Sequence, residues 1–164
     1  NTIKNKVFAR VVTFGKALGC HGAIVLGSTS LREYLINFAR PFIYTTAAPL
    51  HQIASIKMAY RRLQQSATEI EKLKSNILLF KQNVNKNHLL INSESAIQCV
   101  LLNNNEKAKA MAKALQENGL DVRPILSPTV PHGSERVRIC LHSFNTRDDI
   151  MLLADTLNTF ADAE

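Results

Sequence analysis

The stretch TFGKALG, residues 13–19, places Lys16 between Gly15 and Gly19, directly after the apolar run of residues 7–12, VFARVV. A chain that leaves a short strand here must turn, and the two glycines allow another group to approach the backbone closely. With apolar strands on either side, the Lys16 amine is expected to be partly desolvated. Desolvation lowers a lysine's pKa and frees a neutral amine that attacks carbonyls. The Thr13 hydroxyl and the glycine N–H groups suit a phosphate. These parts point to an aldehyde cofactor that carries a phosphate. A solvated turn lysine is the plain alternative.

Outward from this turn the pattern predicts two short buried strands, Phe8 to Val12 and Gly22 to Gly27. A helix over Leu31 to Ala39 follows, capped by Ser28, Thr29 or Ser30 and ended by Pro41. RPFIYTTAAP, residues 40–49, reads as an extended linker. From Leu50 to Lys81, apolar residues recur at three- and four-residue steps, the signature of one long amphipathic helix. After Ala96 the pattern becomes an α/β alternation. It comprises a strand over Ala96 to Leu102, a helix over Asn104 to Glu117 stopped by Asn118-Gly119, and an edge strand near Pro124. The segment RVRICLH, residues 136–142, alternates cleanly. Val137, Ile139 and Leu141 face one way, and Arg136, Arg138, Cys140 and His142 the other. A last helix starts at Asn145 or Thr146, with Asp148 and Asp149 in its first turn.

The formal charge is +7, but the basic residues are dispersed and few aromatics stand among them, which argues against nucleic acid. A phosphate-bearing cofactor or an anionic substrate accounts for the imbalance equally well. No apolar run is long enough to span a bilayer. Cys20, Cys99 and Cys140 are far apart and lack metal-ligand spacing, so no metal is expected. They read as incidental thiols of a cytoplasmic protein.

TFGKALGCHGA (13–23), RPFIYTTAAP (40–49) and SPTVPHGSERVRICLH (127–142) occur in the order found in the α-oxoamine synthases, which these three segments resemble. That family comprises pyridoxal-phosphate (PLP) enzymes of the aspartate aminotransferase fold type. The resemblance implies an α/β fold: the C-terminal portion of a fold-type I PLP-dependent transferase. Residues 1–49 would end the large PLP-binding domain, 50–82 would form a linking helix, and 83–164 would form the small C-terminal α/β domain. Lys16 would carry PLP in Schiff-base linkage and move protons at the amino acid's Cα. Thr13 would bond the cofactor phosphate. Thr45 matches a hydroxyl residue that reaches a phosphate across a homodimer interface. Thr129 matches a position that contacts the acyl substrate, and Arg138 the arginine that holds the amino-acid carboxylate. The residue's own chemistry agrees, because a guanidinium grips a carboxylate through two parallel charge-assisted hydrogen bonds. On spacing alone, Arg138 is as well read as a surface strand arginine, and Thr45 and Thr129 as ordinary loop residues. Leu126 stands where some relatives carry an arginine.

Only fifteen residues precede Lys16, and none is acidic. The family's ring-stacking histidine, ring-pairing aspartate and phosphate-cup glycines lie upstream of the lysine segment. The chain therefore reads as part of a longer enzyme and is expected to be inactive alone, with its C-terminal half folded and the strands around Val11 and Ile24 left uncovered. The implied reaction is decarboxylative condensation of an L-amino acid with an acyl thioester. In the biotin-pathway branch of the family these are L-alanine and pimeloyl-CoA or a pimeloyl carrier protein. The glycine C-acetyltransferase and 5-aminolevulinate synthase branches share much of the pattern. A basic α/β module that binds without chemistry is the reading from a different class.

Overall fold

The computed structural model describes residues 6–85 and 89–162, and the chain divides into two compact units, Asn1–Ser66 and Ala67–Glu164. No helix among the described residues is long and apolar enough to cross a membrane.

The first unit is built on an antiparallel hairpin of β1 (Ala9–Thr13) and β2 (Ala23–Gly27), with Val11 opposite Val25. Helix α1 (Thr29–Phe38) follows, and the Ser28 hydroxyl accepts from Leu31 N at 3.1 Å, as a cap should. Helix α2 (Leu50–Gln64) closes the unit. The strands, apolar as they are, lie uncovered, the state expected for this chain alone. Val11 is 66% exposed and Val25 49%, and α1 buries no residue, because a two-stranded sheet and one helix present more apolar surface than they cover. Residues 40–44 are not extended either. Ile43 N and Phe42 N both donate to the Ala39 carbonyl, and Tyr44 takes a positive φ of 62°.

The single helix expected over 50–82 is two: α2 and α3 (Ala67–Asn83). The sequence at the break, Ser66-Ala67-Thr68-Glu69, has the form of a capping box, a start signal inside the periodic run. Ser66 Oγ also donates to the Arg62 carbonyl at 2.8 Å, satisfying an acceptor at the end of α2.

The second unit is a four-stranded sheet of order β3-β4-β6-β5, antiparallel throughout. Its strands are β3 (Leu90–Ile91), β4 (Ile97–Leu101), β5 (Arg123–Ile125) and β6 (Arg136–Cys140). Helices α3, α4 (Asn105–Glu117) and α5 (Arg147–Asp162) pack with it around one core. Val100, Val137 and Ile139 enter that core from the sheet and meet Phe80, Met111, Leu115, Ile150 and Leu153. The alternation read in RVRICLH is the observed burial.

The predicted caps at Asn118-Gly119 and Thr146 hold, and Asn104, read as the first helical residue, is itself the N-cap of α4. Asn104 accepts from Lys107 N at 2.8 Å. Gly119, at φ +79°, lets Leu120 N reach the Leu115 carbonyl and stop α4. At α5, Thr146 Oγ1 accepts from Asp149 N while Asp149 Oδ2 accepts from Thr146 N. The Thr146 backbone N–H, with its hydroxyl second, holds the Asp149 carboxyl below its ordinary range. The strand β3 was not expected, since two residues are too few to show a period.

Candidate active site

Lys16 lies in the loop that joins β1 to β2. That loop is shaped by backbone bonds: Phe14 N to Gly22 O, Cys20 N to Phe14 O, and Gly19 N to Lys16 O, all 2.8–2.9 Å. Phe14 is buried and packs edge-on against Tyr60 of α2, with ring centroids 6.2 Å apart. Gln52 of α2 donates to the His21 carbonyl at 3.2 Å. Gly22 takes a φ of +101°, a conformation that favours glycine, and a Cβ there would also displace the end of the Gln52 side chain. These contacts hold the loop from beneath.

The Lys16 side chain is exposed and makes no hydrogen bond or ion pair among the described residues. The expected desolvation by flanking strands is therefore absent within this unit, because the strands themselves are exposed. Thr13 ends β1 beside the loop, and its hydroxyl is likewise uncommitted. Thr45 differs. Its single hydroxyl proton goes to the Phe42 carbonyl at 2.7 Å, and its backbone N–H donates to the same oxygen. His21 is exposed in the loop.

Thr129 and Arg138 belong to the second unit. Thr129 is exposed in the loop before β6, just after a cis Ser127–Pro128 bond. That loop is anchored to the start of α4 by Ser127 N, which donates to Asn105 Oδ1 at 2.9 Å. Arg138 sits mid-strand on the face away from the core, between Cys99 of β4 and Arg123 of β5 in the register. Its side chain is exposed and makes no hydrogen bond or ion pair among the described residues. Arg136, two residues earlier, donates through Nε to the Ser134 carbonyl at 2.8 Å. Burial pushes the Cys99 thiol up, with Arg136 and Arg138 pulling the other way. The free guanidinium has the chemistry to receive a carboxylate; the free amine of Lys16 has the chemistry to receive an aldehyde.

Sequence reasoning missed Glu135. It is 1% exposed, and neither carboxylate oxygen has a hydrogen-bond partner among the described residues. The signal was present, since Glu135 has the parity of Val137 and Ile139 on the core face. A buried polar group without partners costs free energy that an apolar side chain of similar length avoids. Glu135→Met is expected to stabilise folding by about 1–3 kcal/mol, read as a higher denaturant midpoint at unchanged m-value. A lower midpoint would show that the carboxylate is paired.

The sequence matches the aminotransferase class I and II family over residues 3–157. It is 39% identical to the 8-amino-7-oxononanoate synthase of Emericella nidulans over 96% of this chain and 40% of that protein. Among solved structures, the 8-amino-7-oxononanoate synthase of Francisella tularensis superposes with a TM-score of 0.83 at 31% identity, covering 98% of this chain and 47% of the other. SPT, solved with its PLP internal aldimine, superposes with a TM-score of 0.84 at 25% identity, over 98% of this chain and 41% of its own. The chain thus spans about two fifths of the length of the curated relatives it matches.

Proposed function

The chain belongs to the aminotransferase class I and II family, and from that premise we propose that it supplies the lysine and the carboxylate-binding arginine of a PLP-dependent acyltransferase. The reaction is condensation of L-alanine with a pimeloyl thioester, CoA or carrier protein, to 8-amino-7-oxononanoate, with release of thiol and carbon dioxide. The observation that carries this reading is the 39% identity to an 8-amino-7-oxononanoate synthase over 96% of the chain.

When bound, PLP supplies an electron sink for the bonds broken at the amino acid's Cα. The residues at hand fit such a group in part. Lys16 has an uncommitted amine at a glycine-flanked turn, which suits attachment to the cofactor and removal of the Cα proton. The Thr13 hydroxyl is free to donate to a phosphate. Thr45 would first have to release the Phe42 carbonyl before its hydroxyl could donate to a phosphate. We assign Thr45 to the phosphate of the other protomer's site in a homodimer. Arg138 orients the amino acid through two parallel N–H bonds to its carboxylate, with no internal partner to displace. Thr129 contacts the acyl thioester.

The test is thiol release by the full-length protein with PLP. Release should require both L-alanine and pimeloyl-CoA. Equal or faster release with glycine and acetyl- or succinyl-CoA would overturn the substrate assignment in favour of another α-oxoamine synthase.

A further inference from the structure

Arg138 shares a groove with two acids, yet its guanidinium has no partner among the described residues. A groove of about 730 Å³ runs along β5, the end of β6 and the start of α5, and Arg138 lines it together with Asp121, Arg123 and Asp149. Both acids are engaged elsewhere. Asp149 is tied to Thr146 in the α5 cap. Asp121 Oδ1 receives Arg123 Nε at 2.8 Å. In the register, Arg123 is directly opposite Arg138, and Asp121, two residues before Arg123 and outside β5, lines the same groove.

We propose that Arg123 is a positioning residue for carboxylate recognition: by holding Asp121 it keeps that carboxylate off Arg138, whose guanidinium stays open to the substrate. The inference rests on the assignment of Arg138 to the amino-acid carboxylate. Its physics is competition. An aspartate tethered beside Arg138 is present at high effective concentration and would occupy the same N–H donors that an incoming carboxylate needs. Arg123 is placed to win it because a second arginine opposite the first offers an equal fork nearer in sequence to Asp121. Both members of the Asp121–Arg123 pair are largely exposed, so the competition is worth a modest factor.

The experiment compares three variants of the full-length enzyme. Arg123→Gln releases Asp121 and should raise KM for L-alanine about two- to fivefold, leaving kcat and the thioester KM unchanged. Arg123→Gln combined with Asp121→Asn should restore the starting KM, and Asp121→Asn alone should leave it unchanged or lower. An equal rise with and without Asp121→Asn, or no rise at all, would overturn the proposal. A second readout needs neither cofactor nor turnover. The Arg138 Nε–H signal in the 15N spectrum of this chain should move in Arg123→Gln and return in the double variant. If Arg138→Lys left the alanine KM unchanged while this signal still moved, the carboxylate assignment would fail and the capture of Asp121 would stand. If Arg138→Lys raised that KM and the signal stayed still, the positioning role of Arg123 would fail alone.

Discussion

Replacing Lys16 with alanine in the full-length enzyme is expected to lower kcat by at least about 10²–10⁴-fold, the range lost when a positioned proton-transfer group is removed. The loss of the cofactor's attachment point adds to this. The fold should not notice. Lys16 is exposed and contacts no partner among the described residues, and its loop is held by Phe14, Gly22 and Gln52 instead. Surface substitutions of this kind change stability by about 0.5 kcal/mol or less. Turnover measured by thiol release, beside a thermal melt, separates the two effects. Retained turnover in Lys16→Ala would remove this residue from the chemistry.

Arg138→Lys should raise KM for the amino acid about ten- to a hundredfold and leave KM for the thioester unchanged. Lysine keeps the charge but loses the planar fork, at a cost of about 1–3 kcal/mol. Arg136 provides the internal control. It lies on the same face of β6 but spends its Nε–H on the Ser134 carbonyl, so Arg136→Lys should shift neither KM comparably. Equal weakening of both substrates in Arg138→Lys would mean that the arginine serves the sheet rather than the carboxylate.

The second unit was the more legible in the sequence. RVRICLH carries a clean two-residue period, and its core face, Val137 and Ile139, is the buried one. Asn104 and Asn118-Gly119 bracket α4 as capping chemistry requires, and Thr146 opens α5. The first unit was legible in its elements, and the exposure of its strands was expected from the resemblance to part of a larger fold rather than from their apolar pattern. Periodicity locates Val11 and Val25 in strands, but whether an apolar strand is covered depends on layers that local sequence does not describe. The break between α2 and α3 was written in Ser66 and Glu69, and was masked by the apolar period that continues across it.

The candidate residues divide in the same way. The turn at Lys16 and the outward parity of Arg138 follow from glycine placement and strand alternation. The uncommitted state of both side chains, the committed hydroxyl of Thr45 and the capture of Asp121 by Arg123 depend on distances that no spacing rule contains. Resemblance assigned roles to Lys16, Thr13, Thr45, Thr129 and Arg138; those roles stand as proposals, and the variants above test the two of Lys16 and Arg138.

Borohydride reduction of the PLP-loaded full-length protein, followed by peptide mapping, tests the central claim most directly. The reduced cofactor should be recovered on the peptide that contains TFGKALG, attached to Lys16, and preincubation with L-alanine should diminish the label. Cofactor recovered on another lysine with Lys16 unmodified would contradict the account.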